Sequence, residues 1–170
     1  MELKDNIKYC EVIDLRIEWK KLLVCIAIPL AIGGISALLT SGNMKLFEEI
    51  NKPPLSPPAW LFPVVWTILY VLMGIALYLV VTTRTRENKT LAIISFCVQL
   101  FFNFFWSIIF FNAQAYLFAF VWLLLLWVAI VFNIHFFNKI NTTSAKLLIP
   151  YLVWVTFAGY LNLGIYTLDG

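Results

Sequence analysis

Hydrophobic positions form five long runs along the chain, separated by short polar segments. Each run has about 20 residues, the length that a helix needs to cross the hydrocarbon core of a bilayer. Lipid cannot hydrogen-bond open backbone N–H and C=O groups, so runs of this kind are expected to be helical. The pattern predicts an all-α integral membrane protein whose residues 22–170 form a five-transmembrane-helix bundle. The predicted spans cover residues 22–40, 60–82, 91–111, 116–137 and 147–168.

Composition supports this class and excludes several others. Hydrophobic residues make up 62% of the 170 residues and charged residues 12%, whereas a soluble domain is roughly half apolar and about a quarter charged. The net charge of +3 is too small to indicate a nucleic-acid partner. The cysteines Cys10, Cys25 and Cys97 lack metal-site spacing, and their odd number favours packed thiols over a disulfide framework. We therefore predict the lipid bilayer as a partner, with no metal site, no nucleic acid and no required cofactor.

The positions of Lys and Arg predict the orientation. Ten of the 12 lie in residues 1–21 and in the loops after the second and fourth runs, which share one side of the membrane if all five helices span. Only Lys45 and Lys52 lie on the other side. The positive-inside rule then places the N-terminus in the cytoplasm, and the loop 41–59 and the C-terminus outside.

Residues 1–21 form a charged leader. Leu3, Ile7, Cys10 and Ile17 recur at roughly helical spacing, so one interpretation is an amphipathic helix on the inner face of the membrane. A solvated tail is the alternative. The leader is too long for a signal peptide, and no clear small-residue cleavage site follows it, so the first run is predicted to be retained.

A proline-rich segment joins the first two runs. Each proline lacks an N–H and restricts the residue before it, so the segment is expected to be semi-rigid and polyproline-like rather than helical. Its place at the membrane surface predicts a lid, within loop 41–59, over a cavity between helices. The predicted lid residues are Pro53, Pro54, Leu55, Pro57 and Pro58.

Three runs carry polar and aromatic side chains on one helical face. An amide that faces hydrocarbon without a partner costs several kcal/mol, so these faces are expected to point into the bundle. Two interpretations stay open: the amides hydrogen-bond across helices as glue, or the faces line a cavity for a flat, largely apolar ligand. The faces consist of Phe62, Trp66 and Tyr70 in the second run, Gln99, Asn103 and Trp106 in the third, and Tyr151, Trp154, Ala158 and Asn162 in the fifth.

The order of these motifs resembles the translocator protein family, whose members are also called tryptophan-rich sensory proteins or peripheral-type benzodiazepine receptors. The resemblance covers nearly the whole chain after the leader. It implies a five-helix bundle, here in a bacterial cell membrane, that binds porphyrins in a pocket closed by the loop between the first two helices. The matching segments are Lys52-Pro53, Pro57-Pro58, Trp66 to Tyr70, Met73-Gly74, Gln99…Asn103…Trp106-Ser107, and Pro150-Tyr151…Trp154…Ala158…Asn162.

The resemblance also implies roles for individual residues. Trp66, Asn103 and Trp154 match ligand-lining positions of the family, and Ala158 would lie on the pocket wall one turn beyond Trp154. All the residues of the three faces are therefore predicted to bind ligand, with a protoporphyrin-type tetrapyrrole as the expected ligand. Some bacterial relatives are reported to break down protoporphyrin, which makes Trp66 and Trp154 the candidates for catalysis.

The chain departs from the family pattern at several positions. Leu46 and Phe47 stand where a Trp-Tyr pair is usual, Leu55 replaces the loop aromatic, and Trp122 occupies the position of a common fourth-helix acid. No Lys or Arg follows the C-terminal tyrosines, so the sterol-recognition pattern is absent and a dedicated sterol role is not supported.

Three functions follow as alternatives. The leading one is a tetrapyrrole-binding sensory or translocator protein, the second a porphyrin-degrading enzyme with oxidative or photochemical chemistry, and the third a small-molecule carrier or assembly partner without catalysis. The spans hold no carboxylate pair and no Ser/His/Asp constellation, and the sole histidine, His135, is interpreted as structural or interfacial. The small residues Gly33 and Ala37 permit close helix approach, either within the chain or in a homodimer.

Overall fold

The structure is a computed structural model that describes residues 17–43 and 50–169. The predicted leader helix therefore lies almost wholly outside the described residues. The two departures at Leu46 and Phe47 lie outside them as well.

The described residues fold into helices joined by short connections. Five stretches are long and apolar enough to cross a membrane, and α5 and α6 together form the fifth. The predicted all-α bundle of five membrane-spanning segments is thus confirmed. The helices are α1 (Trp19–Thr40), followed by a 3-10 turn (Ser41–Asn43); α2 (Leu61–Thr82); α3 (Lys89–Ser107), which continues as a π-helical turn (Ile108–Asn112); α4 (Tyr116–Ile140); α5 (Thr142–Leu147); and α6 (Ile149–Asp169).

Asparagine side chains begin two of the helices. Asn88 accepts a hydrogen bond from the Thr90 N–H at the start of α3, and Asn141 accepts one from the Ser144 N–H at the start of α5. These caps satisfy backbone donors that have no partner inside the helix. The fifth run was expected to be one helix, but the capped turn α5 precedes it. Pro150 lies in the first turn of α6, where its missing N–H is harmless.

The helices form a closed ring in the order α2, α1, α3, α4, α6. α1 packs along α2, α3 along α4, and α4 along α6, while α1 also touches α3. The ring closes where α5 packs on α2, whereas the backbones of α6 and α2 rarely approach each other. Aromatic side chains fill the space between α2 and α6.

Glycines allow α1 and α2 to approach closely. A Cβ on Gly74 would overlap the Cα of Ile26 and lie 2.8 Å from the carbonyl oxygen of Cys25. A Cβ on Gly33 would overlap the ring of Tyr70. Gly33 therefore serves helix packing within the chain, as small residues do at membrane helix interfaces.

The Gly74 contact predicts a large effect from one methyl group. Gly74→Ala should lower the free energy of unfolding by about 1–3 kcal/mol. The new methyl group would overlap backbone atoms of α1, so α1 must move away from α2. Gly34→Ala is the matched control, since nothing lies within 4 Å of its added Cβ. Thermal unfolding in detergent measures both variants, and equal melting temperatures would contradict the proposed packing.

Candidate functional site

A cavity of about 100 Å³ lies between α1, α2 and α3 in the half of the bundle nearer the proline loop. Ala37 and Pro63 at its edge are exposed, so it opens sideways between α1 and α2. In a bilayer this opening faces lipid. The lining residues are Gly33, Ser36, Ala37 and Thr40 from α1; Phe62, Pro63, Trp66 and Tyr70 from α2; and Trp106, Ser107 and Phe111 from α3 and its π-helical turn.

Aromatic rings form the wall of the cavity opposite α1. Trp66 stacks on Tyr70 with ring centroids 5.5 Å apart, and its ring lies 6.3 Å from that of Trp106. The Nε1 of Trp106 donates a hydrogen bond to the Oδ1 of Asn162 at 3.4 Å, which orients this indole. Such a wall suits the face of a flat, apolar molecule.

Two buried asparagines connect helices rather than line the cavity. Tyr70 donates its hydroxyl hydrogen to Oδ1 of Asn103 at 2.8 Å, and Nδ2 of Asn103 donates to the hydroxyl of Tyr151 at 3.0 Å. Asn103 thereby joins α2, α3 and α6. Asn162 donates its Nδ2 to the Tyr116 carbonyl at 2.8 Å and so joins α6 to α4. Both amides fit the interpretation as interhelical glue.

Gln99 lies one turn along α3 from Asn103 and is fully buried. Its Nε2 lies 3.9 Å from the Sδ of Met73, and its Oε1 has no hydrogen-bond partner among the described residues. Gln99 therefore carries an unsatisfied acceptor in the centre of the bundle, away from the cavity.

The space between α2 and α6 is filled by side-chain rings. Phe62 and Trp154 meet edge to face at 5.9 Å, and Trp66 and Tyr151 meet in the same way at 6.1 Å. The Nε1 of Trp154 is buried and has no hydrogen-bond partner in the described part of the chain. The sequence predicted a pocket between the second, third and fifth runs, and in this structure rings occupy that place.

The structure brings together part of the predicted binding set. Phe62, Trp66, Tyr70 and Trp106 line the cavity. Trp154 does not line the cavity but meets the lining residue Phe62, so the two candidate catalytic indoles do not share one wall. A ligand role stays a prediction for all ten residues. Six of them lie outside the lining: Gln99, Asn103, Tyr151, Trp154, Ala158 and Asn162.

The wall that α1 provides was not among the predicted site residues. Gly33, Ser36, Ala37 and Thr40 are spaced i, i+3, i+4 and i+7, which places them on one helical face. This stripe of small and hydroxyl residues, in a run of otherwise bulky side chains, is the sequence pattern that could have indicated a cavity wall on α1. The hydroxyl of Ser36 is buried without a hydrogen-bond partner among the described residues, and it lines the cavity.

The proline loop is anchored to α6. Pro53 is buried against Gly164, where an added Cβ would lie 2.5 Å from the proline Cγ, and the hydroxyl of Tyr160 donates to the Pro54 carbonyl at 2.9 Å. The turn from Pro53 to Ser56 places Leu55 at a φ of 69°, a conformation that favours glycine, and leaves its side chain 84% exposed. None of the predicted lid residues lines the cavity.

Residues 25–168 match the model of the TspO/MBR family. The chain belongs to this family. It is 39% identical over 150 residues to the tryptophan-rich protein TspO of Chlorobaculum tepidum, which covers 87% of this chain and 95% of that protein. It is 36% identical to the protein of the same name from Archaeoglobus fulgidus, over 88% of this chain and 97% of the relative.

Similarity extends to an animal protein. The translocator protein of Ovis aries is 32% identical over 122 residues, which span 71% of this chain and 72% of the relative. Together with the five apolar helices, these matches establish an integral membrane protein of this family.

The bridge through Asn103 predicts coupled energetics. Asn103→Leu should lower the free energy of unfolding by about 1–3 kcal/mol, because the buried hydroxyls of Tyr70 and Tyr151 lose their partner. Tyr70→Phe should then lower the free energy of unfolding less in the Asn103→Leu variant than in the original chain. Unfolding in detergent measures the cycle, with the exposed Asn138→Leu as control. Strictly additive losses would show that no such bridge stabilises the bundle.

Proposed function

We propose that this TspO/MBR protein binds a flat, largely apolar tetrapyrrole of the protoporphyrin type in the cavity between α1, α2 and α3. The single observation that carries the proposal is an aromatic wall of Trp66, Tyr70 and Trp106 across a cavity from the Ser36 hydroxyl, which is buried and has no hydrogen-bond partner among the described residues. The rings would stack on the macrocycle, and the hydroxyl would hydrogen-bond a polar atom at its edge. No protein cofactor is required for binding.

The ligand must enlarge the cavity when it binds. The cavity holds about 100 Å³, whereas small-molecule sites usually hold roughly 300–1,000 Å³. Space can come from the ring contacts between α2 and α6, because few backbone contacts tie these helices together. Movement of Phe62 away from Trp154 would bring the unpartnered indole Nε1 into the site. In this way Trp154 and its neighbours on α6 would join the binding surface.

The lateral opening indicates the route of an apolar ligand. Ala37 and Pro63 flank the opening and face the lipid side of the bundle. A hydrophobic molecule partitions into the bilayer, so entry between α1 and α2 avoids crossing a polar surface. The proline loop, which Tyr160 and Gly164 anchor to α6, is proposed as the cover on the side away from the membrane centre.

We also propose that the basic end of the bundle faces the cytoplasm. The described N-terminal residues and the loops after α2 and α4 carry seven Lys or Arg residues, whereas Lys52 is the one basic residue described at the other end. The positive-inside rule then places the cavity in the outer half of the membrane.

Binding without catalysis fits the site better than an enzymatic role. Of the two candidate catalytic indoles, only that of Trp66 lines the cavity. One relative, from Cereibacter sphaeroides, is named tryptophan-rich sensory protein, and another, from Bos taurus, is named translocator protein. Degradation of the ligand remains the second candidate, because Trp66 would contact the macrocycle directly.

Titration with protoporphyrin tests the binding site. We expect saturable quenching of tryptophan fluorescence in detergent, with an apparent Kd raised about tenfold by Ala37→Phe, because the added ring fills the mouth of the cavity. Ser36→Ala should weaken binding by about three- to tenfold, the effect of one lost hydrogen bond. Ala27→Phe, at an exposed position of α1 outside the cavity, is the control and should bind normally.

Unchanged affinity in both cavity variants would refute this location of the site. Absorbance after incubation in the dark separates binding from breakdown. A stable Soret band supports binding alone, and its loss with a discrete product, absent without protein, would establish the enzyme instead.

The anchor of the proline loop predicts the rate of ligand release. Gly164→Ala should accelerate porphyrin dissociation about fivefold or more, because the new Cβ displaces Pro53 from its seat on α6. Tyr160→Phe should act in the same direction by removing the bond to Pro54. Gly34→Ala makes the same chemical change where no atom lies within 4 Å. Stopped-flow transfer of porphyrin into empty micelles measures the rates, and identical rates would exclude the loop as a cover.

A further inference from the structure

An apolar groove of about 330 Å³ runs along the outside of the bundle between α3 and α4. Its floor consists of the half-buried residues Ser95, Phe102, Ala129 and Phe136, and its sides are exposed Leu, Ile, Val and Phe side chains. Ala129 is the smallest side chain of the floor and leaves the depression between its larger neighbours. This groove shares no lining residue with the cavity between α1, α2 and α3.

The groove offers no unpaired polar group to an occupant. Ser95 supplies its one side-chain oxygen, and that hydroxyl donates to the Ala92 carbonyl at 2.8 Å and accepts from Nδ2 of Asn133 at 2.9 Å. All the other lining residues are apolar. The chemistry of the walls therefore favours a hydrocarbon chain.

The length of the groove matches one leaflet of a bilayer. On α3 it extends from Leu91 to Phe102, which is about 16 Å at 1.5 Å per residue. The hydrocarbon core of a bilayer is about 30 Å thick. The groove thus covers the half of the membrane that ends at the basic side of the bundle.

Positive charge surrounds the end of the groove. Lys139, in the last turn of α4, is exposed, and its Nζ lies 5.9 Å from the ring centroid of Phe136, a floor residue. At this end the described residues include seven Lys or Arg and two Glu, Glu18 and Glu87, of which Glu18 pairs with Lys21. An anionic headgroup at this level would be attracted and a cationic one repelled.

We propose that this groove is a binding site for an anionic phospholipid. One acyl chain lies on the floor between Phe102 and Phe136, and the phosphate and its anionic headgroup lie beside the ammonium group of Lys139. The bound lipid belongs to the leaflet on the basic side of the bundle. It does not depend on tetrapyrrole binding, because the groove and the cavity lie in different parts of the bundle.

Native mass spectrometry of the full chain tests this site. The protein is reconstituted in vesicles of equimolar phosphatidylglycerol and phosphatidylcholine with the same acyl chains and is then released into detergent. We expect about one phosphatidylglycerol retained per chain, preferred at least fivefold over phosphatidylcholine. Ala129→Phe, which fills the floor, should reduce retention of both lipids at least fivefold. Lys139→Gln should bring the preference close to one.

Matched variants separate the site from general effects of bulk and charge. Ala27→Phe adds the same ring to the exposed face of α1, and Lys20→Gln removes one charge from the same end of the bundle. Both should retain lipid normally. Val128→Trp narrows the groove from an exposed position on its side and repeats the Ala129→Phe test without a change in the floor.

Three outcomes would overturn the proposal. Equal retention of the two lipids would show that the charge at the groove end selects nothing. Normal retention in both Ala129→Phe and Val128→Trp would place the lipid elsewhere. A lipid-free dimer that dissociates in these two variants would identify a second copy of the chain as the occupant. Normal protoporphyrin quenching in the groove variants is expected, and it distinguishes failure here from failure of the tetrapyrrole site.

Discussion

The buried amide of Asn103 is the contact on which the arrangement of the site depends. It accepts from Tyr70 and donates to Tyr151, so one side chain joins three membrane-spanning helices. Lipid offers no alternative partner for these groups, and breaking the bridge would leave polar atoms unsatisfied in hydrocarbon. The same bridge fixes the ring of Tyr70, on which Trp66 stacks. The hydrogen bond from Tyr70 to Asn103, which lies behind the aromatic wall of the cavity, therefore holds that wall in position.

Two different packing modes shape the bundle around this bridge. Glycines bring α1 against α2 at Gly74 and Gly33, where a Cβ would collide with the partner helix. Bulky rings instead separate α2 from α6, where Phe62 meets Trp154 and Trp66 meets Tyr151. Side-chain rings can move without loss of backbone contacts between helices. At Gly74 the backbones themselves are in contact, so separating α1 from α2 would break that packing. We infer that the α2–α6 side is where a bound ligand makes room.

The bilayer is the solvent for both proposed binding surfaces. The cavity opens towards lipid between α1 and α2, and the groove between α3 and α4 lies on the outer face of the bundle. A tetrapyrrole and an acyl chain would both arrive from the membrane, but the two surfaces offer them different chemistry. The cavity combines rings with a hydroxyl that has no partner in the described part of the chain, while the groove is apolar and has positive charge beside its end.

The sequence alone determined the class of the fold and which faces point inward. Apolar runs of membrane-spanning length specify helices, and Asn103 and Asn162 proved to be buried and paired because unpaired amides are costly in lipid. Gln99 is buried as well, although its Oε1 has no partner among the described residues. Tertiary structure decided what these faces do. Pairing of tyrosine hydroxyls used up the Asn103 amide, ring packing closed the space beside Trp154, and the small face of Ser36 and Ala37 became a cavity wall. The sequence also could not predict that the proline loop is anchored on α6, because the anchor depends on Gly164 and Tyr160, which are far from the loop in sequence. Periodicity identifies a face, but only the packed neighbours determine whether that face meets a partner or leaves space for one.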